Sequence, residues 1–329
     1  MVMNRRLVVS VAMAHLAAGP GIPRAQPVGR AAMPKIGILS FGQPRSGVDP
    51  DPIAGFVQGM RNLGYADGRN MVLDYRYAEG QPDRLAASVA ALVELNVDVI
   101  LAGGPLPLQF ARKATRTIPI VAISGSDPVR EGWAQTLARP GGNVTGVQVT
   151  FLELAAKQLE ILQTAVPELE RVAVLVAPAE LNEPGVEAGA RALGLELTTL
   201  EVKGPADFER AFKAAASRRA QGLYAIATNT IVAHRTRLAE LAITHRLPSI
   251  SELTLLANAG FLLSYGANLE ALGVRAASYV DKILKGERPG DLAIELPAVF
   301  ELVINRKTAR ALGMALPPSL WMRATRVIE

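Results

Sequence analysis

Short apolar runs recur along this chain, each ending in a small or polar residue and each followed by a stretch with helical spacing. PKIGILSFG (34–42), VDVILAGG (97–104), IPIVAIS (118–124), RVAVLVAP (171–178) and GLYAIATN (222–229) are of strand length and lack polar alternation, the pattern of strands covered on both faces. Between the first two, DPIAGFVQGMRNLGY (51–65) puts Ile53, Phe56, Val57, Met60 and Leu63 on one helical face, with Gly64 as the stop. NMVLDYRYAEG (70–80) alternates like a half-buried strand. PDRLAASVAALVELN, with Asp83 in its first turn, and PLQFARKATRT read as helices. Such alternation predicts right-handed βαβ units on a parallel sheet, hence an α/β fold. The chain of 329 residues is half hydrophobic but only 5% aromatic, which favours helices on buried parallel strands over an all-β sandwich.

The rhythm restarts after residue 148. FLELAAKQLEILQTAVP, GVEAGARALG, PADFERAFKAAASRRA and TIVAHRTRLAELAITHR read as helices, alternating with strands at 171–178, LELTTLEV and 222–229, and then LPSISEL. GFLLSYG (260–266) is a further strand, NLEALGVRAASYVDKILKG (268–286) a long helix, and the tail a strand or two with a short helix. Two αβ modules of similar layout therefore stand in tandem, near 34–148 and 149–250, with no residue-level repeat between them. The segment SDPVREGWAQTLARPGGNVTG (126–146) reads as a short helix capped by Asp127 ahead of Pro128. Trp133 falls in that helix as a packing residue, and Gly141-Gly142-Asn143 forms a turn before another strand.

The start, MVMNRRLVVSVAMAHLAAGPGIPRAQP, has the layout of a secretory signal peptide over 1–26: Arg5 and Arg6, an apolar run from Leu7 to Ala18, then small residues around Ala25. The run is too short for a stable membrane anchor. The arginine pair also fits a twin-arginine signal, and both export routes stay open. Removing 1–26 takes away Arg5, Arg6 and Arg24 and no acid, so the formal net charge falls from +5 to +2. With no basic cluster interleaved with aromatics, a nucleic-acid partner is not expected, nor is membrane insertion after leader removal. Cysteine is absent, which excludes disulfides, thiolate metal sites, a cysteine nucleophile and a lipidated N-terminal cysteine.

Parallel sheets bind ligands at the carboxyl ends of their strands. Those ends are Ser40-Phe41-Gly42, Gly103-Gly104 and Ser124 to Asp127 in the first module, and Pro178 to Asn182, Thr228-Asn229 and Ser251-Glu252 in the second, with Ser264-Tyr265-Gly266 after the later strand. They carry hydroxyls, amides, acids and glycines, a set suited to a small polar ligand. Glu252 can pair with a ligand ammonium or cap the helix after it, and Tyr265 can stack on a ligand or close a core. No phosphate loop, G-x-S-x-G elbow or dinucleotide fingerprint occurs. His234 and His245, eleven apart on one predicted helix, read as solvated or half-buried side chains. With no nucleophile, base or metal set in reach of these loops, a binding protein without cofactors is favoured over an enzyme. An α/β enzyme using the same strand ends is the competing class.

IPIVAISGSDPVREGWAQTLARPGGNVTGV (118–147) resembles the signature of the ABC transporter substrate-binding proteins that include tryptophan- and tyrosine-linked periplasmic components. LDYRYAEG (73–80), ALVELNVDVILAGG (91–104), LLSYGANL (262–269) and the run 276–329 extend the resemblance over nearly the whole mature chain. It implies a type I periplasmic-binding-protein fold: two doubly wound parallel-sheet lobes joined by three crossovers. Lobe 1 would hold 34–148 and 253–296, and lobe 2 would hold 149–252 and 297–329. The first crossover would follow Thr145-Gly146, with the others near 250–256 and 292–300, and the ligand would sit in the cleft. The implied protein is a periplasmic monomer that delivers a small ligand, an amino acid or related carboxylate, to an inner-membrane ABC permease; a periplasmic sensory module shares these features. Expected ligand-binding residues are Ser40, Phe41, Gly103, Gly104, Ser124, Asp127, Asn182, Asn229, Glu252 and Tyr265. Ser40, Gly104 and Ser124 would form a nest for the carboxylate, and Asp127, Asn229 or Glu252 would meet the ammonium. The proline-rich loop at 102–107 and Arg45 would shape the pocket.

Overall fold

A computed structural model describes residues 33–43, 51–149, 154–178 and 184–329. The leader, Arg45 and Asn182 lie outside the described residues. The first sheet comprises β1 (Lys35–Ser40), β2 (Val72–Tyr77), β3 (Val99–Gly103), β4 (Ile120–Ser124) and β5 (Val144–Gln148), in the order β2-β1-β3-β4-β5. Every pairing in it is parallel. Alternate strand residues serve its two faces. Ile36, Ile38, Val99, Leu101 and Val121 pack under α1 (Pro52–Asn62) and α10 (Leu269–Leu284). Leu39, Ile100, Ala102, Ile120 and Ala122 pack under α2 (Pro82–Glu94) and α3 (Pro105–Ala114).

The second sheet has the order β12-β11-β10-β9-β8-β6-β7. Its parallel part is β6 (Arg171–Val176), β7 (Glu196–Glu201), β8 (Gly222–Ala225), β9 (Ser249–Ser251) and β10 (Leu263–Ala267). β11 (Phe300–Asn305) runs antiparallel to β10, and β12 (Arg326–Ile328) is parallel to β11. One face is covered by α4 (Ala155–Ala165), α5 (Pro184–Ala192), α11 (Arg306–Ala311) and α12 (Pro318–Arg323). The other is covered by α6 (Pro205–Ser217), α8 (Arg235–Thr244) and α9 (Thr254–Ala259).

Three features depart from the sequence reading. Segment 126–146 holds no helix. Asp127 Oδ1 accepts the N–H groups of Val129 and Arg130 at 2.9 and 3.0 Å, and its carbonyl accepts Glu131 N–H, which makes a single turn. Gly132 ends it at φ +65°, too soon for a helix to propagate. Trp133 is a core residue as expected, but it reaches the core from this turn. The return of the chain to the first sheet is also displaced. β9 and β10 both belong to the second sheet, so residues 253–267 are not part of the first, and the crossing occurs at Asn268 instead of near 250–256. An apolar strand ending in Gly does not reveal which sheet it joins; only its pairing with β9 and β11 decides that. Finally, the helix predicted over 230–246 breaks at His234 (φ −111°) into α7 (Asn229–Ala233) and α8. The His234 and His245 rings pack against Phe208 and Phe212 of α6.

The ordered turns of 137–142 have a packing reason. Leu137 O accepts Ile294 N–H at 2.7 Å, Gly141 N–H donates to Gly290 O at 3.0 Å, and Thr145 Oγ1 donates to Leu292 O at 2.8 Å. Glu295 then bridges to Val147 on the open side of β5. The chain returning from α10 therefore lies along this segment and extends the first sheet.

Candidate ligand-binding site

β1, β3 and β4 are neighbours, so the sheet brings their carboxyl ends together: Ser40 is in register with Gly103, and Gly103 with Ile123. The second sheet aligns the ends of β8, β9 and β10 likewise, with Ala225 opposite Ser251 and Ser251 opposite Ser264. The ends of β10 and β5 meet the crossings. Ala267, closing β10, is part of the first sheet's core. Gln148, closing β5, donates its N–H to Glu295 O, five residues before Phe300 opens β11.

The individual residues differ in what they can offer. Phe41 is half-buried against the α2/α3 core. Ser124 is buried: its hydroxyl is 2.9 Å from that of Ser126, which also accepts the Trp133 indole N–H at 3.3 Å. It therefore braces the Asp127 turn. Gly104, in the left-handed region at φ +113°, donates its N–H to Ile123 O at 2.9 Å. The residues after it that open α3 include Pro105 and Pro107, which have no N–H. The nest expected from Ser40, Gly104 and Ser124 is thus short of donors, and of the three only the Ser40 hydroxyl is outside these bonds. The proline-rich loop turns out to be the start of a helix whose first turn lacks most of its usual N–H groups.

In the second sheet, Asn229 opens α7 behind a Thr228 cap; its side chain is outside the described positions. Glu252 is buried, with Oε1 accepting Ala227 N–H at 2.7 Å and Oε2 accepting the Ser251 hydroxyl at 3.1 Å. It does not cap α9, whose N-cap is Leu253 without a side-chain bond. Its carboxylate ties the exit of β8 to the end of β9. Tyr265 stacks on Phe300, with ring centres 6.2 Å apart and planes inclined by 22°. Beside it, a Cβ on Gly266 would lie 1.9 Å from Glu252 O, so these two strand ends touch backbone to backbone.

Several supporting residues are invisible to strand-end reasoning. Gln158 on α4 is fully buried and donates to Tyr265 O at 2.7 Å while accepting from Tyr224 OH at 2.5 Å. Asn268 caps α10 through Ala271 N–H and reaches Glu301. An Asn directly before an amphipathic run is a readable cap; the links of Gln158, Phe300 and Glu301 span tens of residues and have no local signal. Among the described residues, no group of three or more His, Asp or Glu side chains could hold a metal ion.

Arg275 and Tyr279 on α10 secure the returning strand. Arg275 grips Glu295 with two nitrogens, Nε at 2.6 Å, and Tyr279 OH donates to Ala293 O at 2.6 Å. The Arg275 hydrogen bonds hold the Glu295 carboxyl below its usual range. Burial, and then the Glu295 charge, push the Tyr279 phenol well up. A lowered carboxyl value contributes stability above its unfolded value, about 4.3, that is lost as pH falls through the lower folded one. The pair is about two-fifths exposed, so solvent screening limits it to about 1 kcal/mol or less. Glu295→Gln should lower unfolding free energy by that amount at pH 7 and by nothing near pH 2, read by urea denaturation at both pH values.

Two αβ units with parallel-dominated sheets, joined by three chain crossings, have the fold of the type I periplasmic binding proteins. The model of the family described as ABC transporter substrate binding protein matches residues 50–328, and the chain belongs to that family. Its members bind small solutes and work with an ABC permease. A tyrosine-binding protein of Clostridioides difficile is 26% identical over 264 residues, spanning 79% of this chain and 76% of its own. A conserved domain protein of Vibrio cholerae superposes with a TM-score of 0.80 at 27% identity, covering 90% of this chain and 99% of the other. The ABC domain from Streptococcus pneumonia, in complex with L-Trp, gives 0.79 at 23% identity with the same coverage. Among the described residues no helix is long and apolar enough to cross a membrane.

Proposed function

We propose that this chain is a periplasmic receptor that captures an amino acid with an aromatic side chain and passes it, unconverted, to an ABC permease. The observation that carries the reading is the alignment of strand carboxyl ends within each sheet, Ser40 with Gly103 and Ser251 with Ser264; we assign Tyr265 and Phe41 to the ligand's aromatic ring. The tyrosine-binding relative and the L-Trp complex support the ligand class. Ser40, Asp127, Asn182 and Asn229 are the groups we assign to the ligand's polar end, and Glu252 to the shape of the second sheet's rim. A zwitterion held away from water needs partners for both charges, so L-tyrosine and L-tryptophan should bind while their decarboxylated amines do not.

Thermal unfolding of the mature chain tests this. At a hundred times the dissociation constant, a ligand stabilises the native state by about 2.7 kcal/mol. L-Tyrosine or L-tryptophan should raise the melting temperature, with calorimetric affinity near micromolar, about −8 kcal/mol. Chromatography after incubation should return the amino acid unchanged. Stabilisation by sugars or nucleosides alone would overturn the ligand class, and conversion of the amino acid would overturn the receptor reading.

A further inference from the structure

The second and third crossings run side by side. β10 and β11 pair antiparallel out to Ala267 opposite Phe300, and Asn268 N–H continues the pairing to Val299 O at 3.0 Å. Any rotation of one sheet against the other must bend the chain here, just beyond the last pair. One side chain bonds both sides of this point. Glu301 Oε1 accepts the Thr254 hydroxyl of α9 at 3.0 Å, and Oε2 accepts the Asn268 amide at 3.3 Å. Thr254 belongs to the second sheet's cover, whereas Asn268 is the N-cap of α10, which lies on the first sheet. Next to Glu301, Phe300 packs against the first sheet's core while stacked on Tyr265, which packs against the second's.

We propose that Glu301 is a positioning residue for ligand capture. It tethers the two crossings, and through the adjoining Phe300–Tyr265 stack it couples the angle between the sheets to occupancy of the strand-end site. The coupling to occupancy rests on the ligand-capture reading above; the tether does not. Hinges are a few positions at element ends that absorb the rotation, and a bond spanning them biases the balance of open and closed forms. Ligand affinity scales with the fraction of the binding-competent form.

The chain's lack of cysteine makes the test direct. Spin labels on Lys113→Cys in α3 and Lys213→Cys in α6, both exposed, report the distance between the units by pulsed electron paramagnetic resonance without ligand. Glu301→Ala should shift or broaden that distribution and change affinity for L-tyrosine or L-tryptophan about fivefold or more. Asn268→Ser keeps the helix cap but is too short to reach Glu301, so it should reproduce both effects even if Glu301→Ala folds poorly. An unchanged distribution and affinity in these variants, with only a lower melting temperature, would overturn the proposal. If the parent chain binds neither amino acid, the ligand class fails, and the ligand-free distances alone decide the tether.

Discussion

Gly273→Val should be among the most damaging single substitutions in this protein. Gly273 lies in the second turn of α10, where an added Cβ would be 2.0 Å from Pro52 O and 2.6 Å from Phe56 N on α1. The contact is reciprocal: a Cβ on Gly55 would meet Glu270 O at 2.1 Å, and one on Gly59 would meet the Ala277 methyl at 2.7 Å. Backbone is in contact with backbone, so no rotamer change can absorb the new group; the helices must separate. Overpacking costs typically 1–3 kcal/mol when side chains can give way, and here they cannot. A loss of about 3 kcal/mol or more is expected, even after the roughly 0.5 kcal/mol that a helix gains when valine replaces an interior glycine. Separation would also open the core around Phe56, Met60 and Val280. Gly204→Ala, at an extended position where an added methyl would meet nothing within 4 Å, should stay within about 0.5 kcal/mol. Urea denaturation of the pair decides the matter; a Gly273→Val midpoint matching that of Gly204→Ala would refute the close crossing.

The first sheet was legible because its strands announce themselves twice, by unbroken apolar runs and by the amphipathic helices between them. β1, β3 and β4 lie where PKIGILSFG, VDVILAGG and IPIVAIS place them. α10 was legible as a helix for the same reason, from Asn268 onward. Its place on the first sheet agrees with the resemblance, which set 253–296 in that lobe, whereas the strand before it pairs with the second sheet. That division rests on the Gly55–Gly273 approach and on β10–β11 pairing, contacts between residues far apart in sequence. The failed helix within 126–146 has a local cause: Asp127 and Pro128 are good starting residues, but Gly132 and the Pro140-Gly141 pair leave no room for a second turn.

The placement of the strand ends was legible; the individual bonds at them were not. Ser40, Gly103 and the Asp127 turn do come together at one rim, and Glu252 and Tyr265 at the other, since parallel neighbours align their carboxyl ends. Sequence cannot say where a hydroxyl turns. Ser124 faces Ser126, which in turn accepts from Trp133, and Glu252 reaches Ala227 instead of the helix after it. Each serves the shape of a loop. Local bonding of this kind is what short polar side chains do at turns.

Gln158→Leu should cost about 2–4 kcal/mol and weaken ligand binding as well. This amide lies fully buried between α4 and the second sheet, and its two ends serve Tyr224 OH and Tyr265 O. Leucine of similar size removes both bonds, so the Tyr265 carbonyl loses its amide donor and the Tyr224 hydroxyl loses its amide acceptor, each at about 1–3 kcal/mol. A double-mutant cycle gives the sharper test. Tyr224→Phe removes the hydroxyl's bond to Gln158 in the parent, whereas in the Gln158→Leu background that bond is already gone. Tyr224→Phe should therefore cost about 1 kcal/mol less in the Gln158→Leu background than in the parent. Chemical denaturation of the four proteins measures the cycle, and additive losses would sink the account. Ligand affinity should divide the two ends of the amide differently. Its nitrogen fixes the backbone of Tyr265, whose ring stacks on Phe300, so Gln158→Leu should weaken binding of L-tyrosine or L-tryptophan, while Tyr224→Phe, which leaves the bond to the Tyr265 carbonyl in place, should hold affinity close to that of the parent.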